Sequence, residues 1–312
     1  MSSRVRFAVV LLLIVAAIPL AWWLFLAEPP VTPPVVLLTP DASVVSSVDA
    51  GPRVVEISLG EITGTVQIRS GASGQWREAK LGDVLHPSDG VRTSDGSYAV
   101  LVGEETWQVK MEPGTEVGIG ELKESITKLL LESGMARATV KGGGRHVFEV
   151  RAANSDAVAR TDGGVFTIAS NGQGTVAVGS ESGEVAFAGG GRVVIVRAGQ
   201  QSIVKPGQAP TEPVTVPKSL LLKVALPARQ TVNTPKLTLK GTVDPGALVE
   251  VQGRIVRVDA QGRFEVPVQL KEGKNPLQIR ARGVGGGEAK QDGQVELDTT
   301  VRPTTIDKNL WK

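Results

Sequence analysis

Two histidines, His86 and His146, and no cysteine are the chain's whole supply of imidazole and thiolate metal ligands. A tetrahedral metal site draws three or four nitrogen, sulfur or oxygen ligands together, and no clustered ligand pattern surrounds either histidine. His86 precedes Pro87 in a turn pattern and His146 begins a strand pattern, so structural or solvated roles are expected for both. Glu104 and Glu105 are adjacent carboxylates, the residue type that glycoside hydrolysis uses in pairs. Neighbours on a strand point to opposite faces, and a hairpin turn suits the two better. No Gly-x-Ser-x-Gly stands at a strand-to-helix turn beside a usable histidine. The turns Gly142-Gly143-Gly144-Arg145 and Gly189-Gly190-Gly191-Arg192 could hold an anion on backbone N–H groups. They lack the Gly-Lys-Ser/Thr ending and following helix of a P-loop, and plain hairpin turns account for them. Trp76 and Trp107 could be sugar-stacking platforms, but among strand residues core positions suit them better. The sequence therefore offers no catalytic residue, no cofactor-binding residue and no metal site, and reads as a non-enzyme.

The elements around these residues begin with residues 7–26, an unbroken apolar run from Phe7 to Leu26. Twenty helical residues span roughly 30 Å, the hydrocarbon thickness of a bilayer. Arg4 and Arg6 are the only charges before it, which holds residues 1–6 in the cytoplasm, and Trp22 and Trp23 suit the far interface. The run is longer than a signal-peptide core, and Phe25 would sit badly before a cut after Ala27. An uncleaved anchor is favoured, and the absence of cysteine excludes a lipid-anchored one. The two N-terminal arginines account for the whole formal charge of +2. The exported part is neutral and gives no electrostatic footprint for nucleic acid.

Residues 27–53 are a Pro-rich stalk, whose closely spaced prolines favour an extended polyproline conformation with a reach of several tens of ångströms. From 54 to 205 the pattern is period-2 segments, among them Ile62–Ile68, Tyr98–Val102, Val147–Val150, Thr175–Val178, Glu184–Phe187 and Val193–Val196, separated by Gly/Ser/Asp/Asn clusters. Short strands at such spacing predict a β-sandwich or roll. Thr139–Ala152 and Val185–Ala198 share a strand, a Gly-Gly-Gly-Arg turn, a strand and Arg-Ala, as in a duplicated hairpin or two convergent ones. In residues 121–133, Leu122, Ile126, Leu129 and Leu130 fall at helical spacing, so periodicity alone favours a short helix, although strand patterns flank it. A second Pro-rich linker covers 206–219. Residues 220–299 carry about seven further strand patterns, which suit an immunoglobulin-like sandwich with Phe264 in its core. Residues 300–312 are a tail.

The stretch Lys80–Val102, with its Gly82-Asp83, its Thr93-x-x-x-Ser97-x-Ala99 step and its alternating strand, resembles the FecR family of envelope domains. Leu131-Glu-Ser-Gly134, Phe148–Val150, Gly164–Ile168, Thr175–Val178 and Ser182–Val185 follow that family's run of short strands, so the likeness covers about residues 55–208. It implies a strand, a Glu-Ser-Gly turn and another strand across 121–133, with strand from about Ser125. Leu239–Val251, Val258–Phe264 and Leu270–Ile279 look like bacterial immunoglobulin-like modules, including those attached to glycan-degrading enzymes. FecR-family members that regulate transcription carry a cytoplasmic domain that contacts a sigma factor. Residues 1–6 are too short for that, and direct sigma-factor control is not expected.

The expectation is an all-β, single-pass inner-membrane protein with its bulk in the periplasm. It would be a non-enzymatic scaffold, or the periplasmic part of a signalling complex, whose partner is another envelope protein. The alternative is a module binding glycan or peptidoglycan. No cofactor is expected.

Overall fold

The computed structural model describes residues 56–103, 106–143, 146–227 and 231–300. The expected span 7–26, the stalk 27–53, Glu104, Glu105, Arg145 and residues 301–312 lie outside them. Every regular element among the described residues is a strand, and no helix there is long and apolar enough to cross a membrane.

Sixteen strands form one connected set. They are β1 Ile57–Thr63, β2 Val66–Arg69, β3 Trp76–Glu78, β4 Val84–Leu85, β5 Gly90–Thr93, β6 Tyr98–Gly103, β7 Trp107–Met111 and β8 Glu116–Lys123. After them come β9 Ile126–Val140, β10 Val147–Ala152, β11 Val158–Thr161, β12 Gly164–Ser170, β13 Val176–Gly189, β14 Arg192–Arg197, β15 Gln200–Val204 and β16 Val214–Thr215. One layer runs β4-β1-β6-β7-β9-β12-β13-β15-β16. The other runs β3-β2-β5-β8-β9-β10-β11-β13-β14. The long strands β9 and β13 belong to both, because each bends from one layer into the other. Sandwich corners of this kind need residues that tolerate a sharp bend. Gly134 supplies one, with φ +96° and no room for a side chain, since a Cβ would lie 2.5 Å from the Thr115 Cα. Gly183, at φ +75°, supplies the other.

Several expectations change here. Ile62–Ile68 is not one strand: Gly64, at φ +74°, ends β1 and lets β2 begin in the other layer. Val176–Val178 and Glu184–Phe187 lie in the two halves of one strand, β13. The Glu132-Ser133-Gly134 step is not a turn between strands but the corner inside β9. In 121–133 the strand expected from about Ser125 is found, with β9 starting at Ile126, and the helical spacing does not decide. Leu129 and Leu131 are buried while Leu130 between them is half-exposed, an alternation that a sheet satisfies and a helix does not. The duplicated hairpin is not one either. β13 and β14 pair as a hairpin, whereas β10 crosses over and pairs in parallel with Ile126–Leu131 at the start of β9.

The two layers enclose one core. At its centre Phe148 is fully buried, its ring 5.1 Å from that of Trp107 and 6.3 Å from that of Phe166. These separations suit tilted and edge-on aromatic contacts. Trp107 occupies the core position expected of it and lies against Gly103, where a Cβ would meet the indole at 2.2 Å.

Eight strands follow: β17 Leu222–Ala225, β18 Thr231–Val232, β19 Lys236–Val243, β20 Leu248–Val251, β21 Arg254–Val256, β22 Arg263–Gln269, β23 Gly273–Arg282 and β24 Glu288–Leu297. They make a sheet β17-β19-β22 and a sheet β18-β24-β23-β20-β21 around a separate core that includes Phe264. This is the second sandwich expected, with one strand more than the pattern suggested. Between the two cores, Met135, Ala169, Ala177 and Val284 form a third cluster with Ile203 and Leu248 packed against it. Around it, Ile255 donates its N–H to Asp95 Oδ1 at 2.9 Å, and Asn171 Nδ2 donates to the Val258 carbonyl at 3.1 Å. Arg282 Nη1 pairs with Glu112 Oε2 at 2.6 Å. The second sandwich is therefore packed against the first rather than strung from it.

Candidate functional site

The residues that carry the FecR resemblance are pinned in turns and strand junctions. Asp83 accepts the Lys80 N–H at 2.8 Å and Arg77 Nη1 at 3.0 Å; the Lys80 N–H is the main cause that holds its carboxyl below the usual carboxylate range. Asp89, 8% exposed, accepts the N–H groups of Gly71 at 2.7 Å and His86 at 2.9 Å. Thr93 Oγ1 donates to the Glu112 carbonyl at 2.7 Å and accepts the Thr115 N–H at 3.0 Å. Ser97 Oγ accepts the Thr65 N–H at 2.9 Å. Each side chain satisfies backbone groups that the turns leave unpaired, which is what buried polar groups must do. The motif builds the scaffold and leaves no reactive group free.

The residues weighed for chemistry do not converge. His86 is exposed, with Nδ1 3.6 Å from Asp89 Oδ2. His146 lies beside the β8–β9 turn, Nδ1 2.9 Å from the Glu124 carbonyl and Nε2 3.1 Å from Thr127 Oγ1. Among the described residues no group of three or more His, Asp or Glu side chains is placed to hold a metal. The most buried carboxylate, Glu149, 4% exposed, is paired across strands with Arg160 at 2.5 Å. Gly190 and Gly191 make the β13–β14 hairpin at positive φ, and Arg192 is ion-paired with Glu212 rather than open to an anion.

Glu121 at the end of β8 shows how local the surface electrostatics are. Lys123 and Lys128 both pair with its carboxylate, Lys128 at 2.5 Å. Hydrogen bonds from Lys123 and then Lys128 outweigh desolvation and hold its pKa at about 2 instead of 4.5. A carboxyl depressed on folding stabilises the fold fully above its unfolded pKa and loses that contribution as pH falls through the folded one. The contribution is therefore complete above pH 4.5 and fades on the way to pH 2. An NMR titration of the Glu121 carboxyl carbon is expected to give a midpoint near 2, returning toward 4.5 when both lysines are replaced by alanine. A midpoint near 4.5 in the unaltered chain would show that the lysines do not hold it.

The free sheet edges offer a surface feature of a different kind. Proteins blunt edges by making them very short, charged or proline-bearing. Three of the four terminal strands of the first sandwich follow that rule, since β4 and β16 have two residues each and β3 has three. β22, an edge of the second sandwich, carries Pro267 and an exposed Lys240–Glu265 pair. β14 is the exception. It has six residues and pairs with β13 alone, and Val193 and Ile195 on its outer face are 60% and 38% exposed. Val193, Ile195 and Pro213 line one open hollow with Arg192, Arg197 and Glu212. In the sequence β14 shows as one more period-2 segment, Val193–Val196, after the Gly189–Arg192 turn, with nothing to mark it as an edge.

No family model matches the sequence, and no curated protein does. Among solved structures, the chain is similar to a candidate anti-sigma factor from Parabacteroides distasonis, known from two crystal structures. The identity is 19% over 41% of this chain, with a TM-score of 0.35. The match spans 58% of that protein's length. The fibronectin(III)-like modules of CbhA from Clostridium thermocellum align at 14% identity over 58% of this chain and 93% of theirs, with a TM-score of 0.22.

Proposed function

We propose that this chain is a non-enzymatic envelope protein, anchored in the inner membrane by residues 7–26, whose periplasmic β-sandwiches bind another envelope protein. It works as a scaffold or as the periplasmic part of a FecR-like signalling complex. The observation that carries this reading is β14. A six-residue edge strand with an apolar outer face invites a partner strand, whose backbone gives affinity while alternate side chains give specificity. Among the described residues weighed for chemistry, His146 is bonded to the Glu124 carbonyl and Thr127, and Arg192 is paired with Glu212, which supports a binding role.

A photo-crosslinking residue placed at Val193 in native membranes, read by mass spectrometry, tests this. A defined protein adduct is expected, lost when Ile195→Lys is added, with none from the same probe at Glu265 on β22. Adducts confined to cell-wall material would favour a glycan-binding module. A protein adduct indifferent to Ile195→Lys would remove β14 as the binding edge.

A further inference from the structure

At the opposite end of the layer that ends in β14, the face of β3, β2, β5 and β8 carries two cross-strand rows. In one row Glu78 faces Gln67, Gln67 faces Arg92 and Arg92 faces Glu116. In the other Trp76 faces Arg69, Arg69 faces Gly90 and Gly90 faces Gly118. Directly opposed residues in an antiparallel pair lie on the same face. Both guanidiniums stack on one indole: Arg69 Cζ is 4.9 Å and Arg92 Cζ 4.3 Å from the Trp76 ring centroid. Gly90 makes this arrangement possible. A Cβ there would stand 3.2 Å from Trp76 Cη2 and 3.4 Å from Arg69 Nη2, so the stack lies over the gap left by the missing side chain.

The two arginines differ from most others among the described residues. Arg77, Arg137, Arg151, Arg160, Arg192, Arg197, Arg263 and Arg282 are all ion-paired. Arg69 and Arg92 converge without a carboxylate partner among the described residues. Arg92 gives its Nε to Gln67 Oε1 at 2.8 Å, while Arg69 Nε is buried without a hydrogen-bond partner. Stacking uses the face of a guanidinium and leaves its in-plane N–H donors for an oxyanion. Two such groups fixed on one rigid ring are already ordered for a carboxylate, the geometry in which Arg binds most strongly.

We propose that Arg69, Trp76 and Arg92 form a binding site for a carboxylate side chain of an acidic peptide segment. Glu78 and Glu116 close the row of Arg92 on both sides, so a single carboxylate seats between them. A polyuronate holds its successive carboxylates on stiff rings and would press them on both glutamates, whereas the flexible side chains of an acidic peptide can turn theirs away. This site lies apart from β14, and the inference rests on the reading of the chain as a protein-binding one.

The full chain in detergent micelles, titrated into fluorescein-labelled hexaglutamate and followed by anisotropy, tests the assignment. Binding is expected, weakened at least about tenfold by Arg69→Gln or Arg92→Gln and also by Arg69→Lys, which keeps the charge but loses the fork. Gly90→Val, which disturbs the stack and removes no charge, should weaken it as well. Hexaglutamate that does not bind, or binds all four variants with unchanged affinity, overturns the proposal. Competition by trigalacturonate at equal or lower concentration than unlabelled hexaglutamate overturns the choice of peptide over glycan. The protein adduct expected at Val193 separates the two readings. Its persistence in Arg69→Gln/Arg92→Gln, beside absent hexaglutamate binding, leaves the scaffold standing and rejects only this site.

Discussion

Phe148→Ala is expected to destabilise the first sandwich by about 3–5 kcal/mol, the range for truncating a fully buried phenylalanine. The ring is completely inaccessible and touches Trp107 and Phe166, which come from β7 and β12 in the opposite layer. Its loss would leave a cavity that neither neighbour can collapse into. Trp107 is fixed against Gly103 with no slack, and Phe166 lies in β12 between β9 and β13. Differential scanning calorimetry would read the effect as a fall in Tm of roughly 6–20 °C, at about 2–4 °C per kcal/mol for a domain of this size. Val193→Ala on the outer face of β14 is the control, expected within about 0.5 kcal/mol of the unaltered chain. A Phe148→Ala cost under about 1 kcal/mol would show that the aromatic cluster is not the centre of the core.

Much of this architecture is legible in the sequence because strand alternation is local information. Tyr98–Val102, Val193–Val196 and Arg263–Val268 read as strands from period 2 alone, and the structure has them as β6, β14 and β22. What escapes is whatever depends on which layer a strand joins. Gly64 looks like one more small residue in a strand pattern, yet its positive φ moves the chain between layers. Gly134 reads as the end of a turn and instead bends a strand that continues. The similar sequences around Gly142–Arg145 and Gly189–Arg192 gave no hint that one joins a hairpin and the other a crossover, because the partner of β10 lies some twenty residues upstream. The candidate surfaces were hidden for a related reason. β14 differs from a core strand only in having a neighbour on one side. Trp76, expected in the core like Trp107, is half-exposed because Gly90, two strands away, gives its ring and two guanidiniums a place to stack.

The contact between the two sandwiches should fail by steric insertion at one glycine. Gly179 on β13 lies against the backbone of the second sandwich. A Cβ there would fall 2.5 Å from the Val284 carbonyl oxygen and 2.8 Å from its carbon. A peptide group cannot rotate away as a side chain could, and β13 is held at this point by Thr167 of β12 and Gln201 of β15. Gly179→Val must therefore displace the second sandwich. The Asp95, Asn171 and Glu112 contacts would be lost with the small-residue cluster around Ala177 and Val284. Overpacking of this kind costs about 1–3 kcal/mol, and here the cost falls on the junction while both cores stay intact. The expected signature is a single calorimetric transition that splits into two, together with a larger radius of gyration by small-angle X-ray scattering. Gly118→Ala, where a Cβ meets nothing closer than 3.7 Å, should change neither. An unsplit transition and unchanged scattering for Gly179→Val would mean that β13 yields instead. For a protein that presents β14 to a partner the difference matters. β13 carries β14 along one half and the second sandwich against the other, so the junction sets the orientation in which the binding edge is displayed.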